Sequence, residues 1–178
     1  MQFIRQLRRL ISNDHLILIV LAVIVGMAAG FGTILLRESI SFLHFSLFNS
    51  SGENLLDTAL SGWRILFVTT SGGLLIGLFI YYLVPGKRPL GITDVIEANA
   101  LRGGRMSLRA GISAAVTSAG SIGFGASVGR EGPAVHLGAT LGAWLAESLH
   151  LTRSNSRALL GCGAAAAVAA SFNAPIAG

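Results

Sequence analysis

From Leu16 to Leu36 the chain runs without a charge, and most of the residues in that run are aliphatic. A helix rises about 1.5 Å per residue, so a run of this extent matches the roughly 30 Å of a bilayer's hydrocarbon core. A second uncharged run, Ile65 to Val84, is of similar extent and ends at Pro85-Gly86, a pair that stops helices. The pattern predicts two spanning helices. The polar stretch between them, around Asn49-Ser50-Ser51-Gly52, is expected to be a loop with helical ends.

After Pro85 the aliphatic density falls, and Gly, Ala and Ser take over. Ten glycines lie between Gly103 and Gly142. Ala110 to Gly129 is again uncharged throughout but rich in Ser and Gly. It reads as a helix of the protein interior, its polar groups satisfied by neighbours. Ala134 to Ala146 is too short to span comfortably, and Gly/Pro-interrupted apolar segments are the mark of discontinuous helices that meet near the bilayer midplane. Ser154-Asn155-Ser156 forms a polar break between Arg153 and Arg157. The next apolar run starts at Ala158, contains Ala164-Ala165-Ala166-Ala167, and is interrupted by Ser171-Phe172-Asn173-Ala174-Pro175. Pro175 suits the first turn of another helix. Residues 1–178 are therefore expected to be one partial transmembrane domain, cut as a helix begins. The fold class expected is an all-α polytopic membrane protein with discontinuous, tilted helices.

Composition strengthens this picture. Hydrophobic residues make up 52% of the chain and charged residues 12%, against about 25% charged in a soluble domain. The mean hydropathy is +0.69. The net charge of +5 and the pI near 10.7 do not imply nucleic acid, which needs a basic patch on a solvated face. Here the cations flank apolar runs, as the positive-inside rule describes. Arg5, Arg8 and Arg9 precede the first run; Lys87, Arg88, Arg102, Arg105 and Arg109 follow the second. Both regions are expected to face the cytoplasm. The intervening loop sets Arg37 and Arg64 against Glu38, Glu53 and Asp57, which suits the outer side. The compact N-terminus points to a multi-pass protein of a prokaryotic inner (plasma) membrane. A basic start followed by an apolar run also imitates a signal peptide, but the run from Leu16 to Leu36 exceeds a usual h-region. The lone Cys162 forbids an internal disulfide and reads as a small buried helix residue. No CxxC or Cys/His cluster offers a metal site, and no cofactor is implied.

The candidate chemistry centres on Gly129-Arg130-Glu131-Gly132-Pro133, two opposite charges in an otherwise apolar region. A charge at membrane depth costs about 2.5–3.5 kcal/mol on insertion scales and tends to mark an ion or proton pathway. Pro133 fits the first helical position, which leaves the amides around Arg130, Glu131 and Gly132 at the helix mouth without intrahelical partners. That mouth attracts anions, because the helix dipole places about half a positive charge there. The Glu131 carboxylate can fill the site its own helix creates, and protonation would discharge it. Proton binding and anion binding are thereby linked at one residue. The structural alternative is that Glu131 pairs with Arg130 or merely caps the helix.

The motif resembles the signature of the CLC family of chloride channels and chloride/proton exchangers. The chain is similar to that family from about Gly91 to Gly178, including Gly161-Cys162-Gly163-Ala164-Ala165-Ala166 and Ser171-Phe172-Asn173-Ala174-Pro175-Ile176-Ala177-Gly178. The resemblance implies the first half of an inverted-repeat fold, an anion pathway within each subunit of a homodimer, and no enzymatic activity. It implies chloride or another small anion, protons and the lipid bilayer as partners, with Glu131 as the gate that moves into and out of the anion site. One motif departs. The family's Gly-Ser-Gly-Ile-Pro corresponds to Pro89-Leu90-Gly91-Ile92-Thr93, so a leucine stands where a serine hydroxyl is expected to bind the anion. The amides of Gly91 and Ile92 are expected to face the ion, with Thr93 or Asp94 capping the next helix and Glu97 completing a capping box. The anion-binding set is thus Gly129, Arg130, Glu131, Gly132, Gly91 and Ile92. The family's inner proton-accepting glutamate, its pore-lining tyrosine and the second half-repeat are expected beyond Gly178.

Weaker candidates read as structure. Gly123-x-Gly125-x-x-x-Gly129 has the wrong spacing and setting for a dinucleotide loop. His136 reads as a packed helix residue rather than a proton carrier; His15, His44 and His150 fall near the ends of apolar runs; Asp14 suits a helix N-cap. A membrane-embedded enzyme using Glu131 and His136 would need a nucleophile or metal cluster, and the sequence has neither Gly-x-Ser-x-Gly nor HExxH. A purely structural membrane subunit leaves Glu131 unexplained.

Overall fold

The computed structural model describes residues 13–48, 62–174 and 176, and these are helical with short connections. Six α-helices follow one another among the described residues: α1 (Asn13–Phe48), α2 (Gly62–Leu83), α3 (Ile92–Ala100), α4 (Leu108–Gly123), α5 (Glu131–Ser148) and α6 (Arg153–Phe172), with a short 3₁₀ turn at Pro85–Lys87 between α2 and α3. The described residues contain no strand, as the all-α expectation requires.

The two apolar runs form the two helices that are long and apolar enough to cross a membrane. Their large side chains point outward: Met27 and Phe31 on α1, and Phe67, Leu74 and Tyr82 on α2, are each more than 60% exposed. Helices so apolar on their outer faces cannot be solvated by water without a large penalty, whereas lipid accepts them. α2 matches its predicted bounds within a few residues and ends where Gly86 and Lys87 take positive φ values of 79° and 52°.

The first helix is longer than expected. It passes Arg37 and Glu38 and continues to Phe48, giving 36 residues and a length of about 54 Å. An arginine and a glutamate are good helix formers, and the apolar spacing persists beyond them. Leu36 and Ile40 pack with Ala115, Ala119 and Ala134, and Leu43 lies against Gly123. So long a helix must tilt in a bilayer or project beyond it. The predicted linker motif Asn49–Gly52, the N-terminal arginines, Glu53 and Asp57, the side chains of Asp14 and His15, and the helix start at Pro175 lie outside the described residues.

The Gly/Ala-rich half builds the interior. Ten of the 18 residues of α5 are buried, and α5 crosses α6 backbone to backbone. A Cβ on Gly138 would strike the Gly163 carbonyl, one on Gly163 the Gly138 carbonyl, and one on Gly142 the Leu159 carbonyl. Such close approach is how small residues hold membrane helices together. α4 packs on α5 with Gly111 against the Thr140 side chain. α3 joins through a cluster of Val95, Ala98, Ala139, Ala143 and Leu160.

Three boundaries differ from the sequence reading. α4 stops at Gly123 rather than running on to Gly129, because Gly125 turns the chain at φ 94°. α5 exceeds the short segment expected, beginning at Glu131 and reaching Ser148. The polar Ser154-Asn155-Ser156 is not a break but the first turn of α6, where the Thr152 hydroxyl accepts a hydrogen bond from the Asn155 N–H at 3.4 Å. Polar side chains near an N-terminus cap the helix as readily as they end one. α6 closes on Asn173 in the left-handed region at φ 51°. The polar groups of α4 are only partly satisfied: the Ser113 hydroxyl donates to the Ala110 carbonyl at 2.9 Å, while Thr117 Oγ1 is buried with no partner among the described residues.

Candidate functional site

The mouth of α5 is built from its first turn. The Arg130 carbonyl accepts from the Ala134 N–H at 3.3 Å, so Arg130 is the N-cap and Glu131, Gly132 and Pro133 are the first three helical residues. Pro133 therefore lies two positions deeper than the sequence reading placed it. The consequence is the same, because a proline anywhere in the first turn gives up an N–H that has no acceptor. The amides of Glu131 and Gly132 remain at the mouth without intrahelical acceptors, as helix geometry requires of a first turn. A negative charge is favoured there by the dipole.

Glu131 is half-buried. Its Oε2 lies 3.0 Å from the point a Cβ on Gly129 would occupy, so the carboxylate folds back over the preceding loop and the glycine leaves room for it. Arg130 is exposed, and it lines a small cavity of about 50 Å³ with Thr33, Arg37 and Ser171.

The start of α3 comes to the same place. The Ile92 side chain lies 4.0 Å from the position of a Cβ on Gly132, so the first turns of α3 and α5 adjoin. Two segments far apart in sequence thus come side by side at their first turns.

Its detail differs from the expectation. Gly91 is the N-cap of α3, in place of Thr93 or Asp94. Asp94 sits three residues on and reaches back: the Gly91 N–H donates to its Oδ2 at 2.9 Å, and the Arg88 guanidinium donates to its Oδ1 at 2.6 Å. The Gly91 amide is therefore turned to Asp94, and the α3 amides left at the mouth by helix geometry are those of Ile92 and Thr93. Glu97 takes no part in a capping box; it pairs with Arg102 at 2.7 Å. The Arg88–Asp94–Gly91 clasp went unrecognised in the sequence, although an acid three residues after a helix-start glycine was its signal. Leu90 is half-buried. It lines a cavity together with Asp94 and His136; His136 is 1% exposed and packed as expected. Groups of three or more metal-ligating side chains are absent among the described residues.

Fold and site together define a class: a helical, membrane-embedded chain in which the first turns of two helices adjoin beside a half-buried glutamate. Residues 72–178 match the family model of the voltage gated chloride channel. The chain is 36% identical over 167 residues to a chloride channel protein described as ClcB-like from Ralstonia nicotianae. It is 29% identical over 164 residues to the voltage-gated ClC-type chloride channel ClcB of Yersinia pseudotuberculosis, and 30% identical over 164 residues to that of Escherichia coli O81. Each match covers 90% of this chain and 39% of the relative, so the chain spans about two fifths of their length. The chain belongs to the voltage-gated chloride channel family.

Proposed function

We propose that the chain is the first half of a pathway that carries chloride or a similar small anion across a membrane, as a channel or a chloride/proton antiporter gated by Glu131. The observation that carries this reading is the adjacency of the first turns of α3 and α5: Ile92 adjoins Gly132, and Glu131 stands in the first turn of α5. Two adjoining helix N-termini supply about one positive charge in total without any lysine or arginine. An anion held by dipoles and amides is bound weakly enough to leave again, which conduction requires. The amides of Glu131, Gly132 and Ile92 form the anion site; Gly129 and Gly91 shape its rim, and Arg130 adds a positive charge at its entrance. The Glu131 carboxylate competes with the diffusible ion until a proton discharges it.

The complete protein would work as a homodimer in a bacterial plasma membrane, its N-terminus and the Lys87–Arg109 segment facing the cytoplasm by the positive-inside rule. Leu90 bears on selectivity. A leucine offers no hydroxyl to the ion, so selection falls to backbone amides, which rank anions by size and hydration more than by directional bonding. Flux from liposomes reconstituted with the full-length protein is expected to pass chloride, bromide and nitrate and to exclude gluconate. Leu90→Ser is expected to change the ranking among the three permeant ions. Equal passage of gluconate, or no flux above empty liposomes, would remove the transport reading.

A further inference from the structure

Arg37 is a charge in an unusual place. It lies within α1, about three turns before that helix ends at Phe48, in a segment otherwise apolar enough to cross a membrane. A charged group inside such a helix is costly and marks a function by default. The packing around it shows where it acts. Leu36 and Ile40, on either side of it along α1, pack against Ala134, and the Ala134 N–H closes the first turn of α5 on the Arg130 carbonyl at 3.3 Å. Arg37 is thereby held beside the turn that carries Glu131.

Arg37 and Arg130 line one cavity of about 50 Å³, over an apolar floor of Leu36, Ile40 and Ala134. That volume exceeds the roughly 10–15 Å³ that a single water-sized occupant requires. Among the described residues no carboxylate lines it. Glu38 follows Arg37 in sequence but leaves the helix about 100° round from it, and the Glu131 carboxylate is folded back over Gly129. Both arginines are exposed, so an ion from solution reaches them. A cleft lined by one sign of charge, with walls of low dielectric, focuses the field and raises the local concentration of counter-ions. The small space suits a halide better than a bulky anion.

We propose that Arg37 is a capture residue for transport: with Arg130 it forms an outer station that concentrates a small monovalent anion, such as chloride, beside the mouth at Glu131. The proposal rests on the anion-transport reading and adds to it a residue of α1, a helix that contributes no amide to the mouth. An exposed guanidinium holds its counter-ion weakly, so the ion is released inward. Capture acts on approach. It lowers the chloride concentration needed for half-maximal rate and leaves the gate untouched.

The test is the initial rate of chloride uptake by liposomes reconstituted with the full-length protein, measured against external chloride at low ionic strength and again with added potassium gluconate. Arg37→Gln is expected to raise the half-saturating chloride concentration about three- to tenfold, with the maximal rate and the pH dependence set by Glu131 unchanged. Arg37→Lys keeps the charge and should stay within about twofold of wild type. Gluconate shortens the Debye length from about 30 Å at 0.01 M to about 8 Å at 0.15 M, so the wild-type and Arg37→Gln curves should converge. Arg64→Gln is the control. It removes an exposed cation of α2 that does not line the cavity, and it should behave as wild type. Absence of chloride uptake in the wild type would overturn the transport reading and this role with it. In a protein that does transport chloride, the role of Arg37 alone is overturned by wild-type half-saturation in Arg37→Gln, by an Arg37→Lys protein as impaired as Arg37→Gln, or by an equal rise in Arg64→Gln.

Discussion

Glu131→Gln in the full-length protein is expected to abolish proton movement coupled to anion flux while the anion flux itself continues. Glutamine matches glutamate in size and can hydrogen-bond at the same place, but it cannot take up a proton and carries no charge. The mouth of α5 then keeps its amides and its dipole and loses the carboxylate that competes for them. In wild-type liposomes a chloride gradient should drive proton movement, and anion affinity should rise as pH falls, by up to about tenfold per unit where a single proton is linked to release of the site. In the variant both effects should vanish: proton movement falls to the level of empty liposomes, and anion flux no longer depends on pH. In a protein that works as a channel, the same substitution removes the pH dependence of opening. Proton movement at the wild-type rate in the variant would show that Glu131 is a structural cap.

The second large effect concerns packing. Gly138→Ala and Gly142→Ala each place a methyl group against a backbone carbonyl of α6, that of Gly163 or Leu159. A side chain in the way can change rotamer, but a helix backbone cannot. The two helices must separate, and α5 carries Glu131 at its start. Alanine normally favours a helix over glycine by about 1 kcal/mol, so a loss of stability would run against propensity and report the crossing itself. We expect each substitution to destabilise the protein by about 2 kcal/mol or more, in the upper range of overpacking effects, and to lower flux as well. Gly77→Ala on the outer face of α2, where nothing lies within 4 Å, is the control. It should leave stability unchanged or raise it by up to about 1 kcal/mol. Thermal denaturation in detergent, followed by size-exclusion chromatography, reads both. A Gly138→Ala protein as stable as the control would mean that α5 and α6 are farther apart than described.

Most of the architecture could be read from hydropathy because lipid imposes one requirement, an apolar exterior of sufficient length. That requirement fixes α2 closely, since Pro85-Gly86 ends it. It fixes α1 only in part: Arg37 ended the uncharged run without ending the helix, since charge governs position in the bilayer and propensity governs helix continuation. The glycines told of close packing but not of partners. Gly138 facing Gly163, and Gly111 facing Thr140, are tertiary facts with no local signature.

The candidate site was legible to a similar degree. The helix mouth at Glu131 follows from a glutamate, two glycines and a proline in sequence, and its grouping with Ile92 follows from the family resemblance. The capping of α3 was misjudged because the two arrangements use the same residues. Asp94 can begin a helix or reach back from its third position, and Arg88, six residues upstream, favours the second by binding the other carboxylate oxygen. His136 was recognised as packed, but the cavity beside it depends on residues from four separate segments and was invisible to any local pattern.

The central claim is that a diffusible anion and the Glu131 carboxylate share the mouth formed by α5 and α3. Anomalous diffraction from bromide-soaked crystals of the full-length Glu131→Gln protein tests it most directly. The predicted result is a bromide peak within hydrogen-bond reach of the amides of Gly132 and Ile92, weaker or absent when Glu131 is present and ionised. Crystals of a bromide-transporting protein with no anomalous peak at that mouth would contradict it.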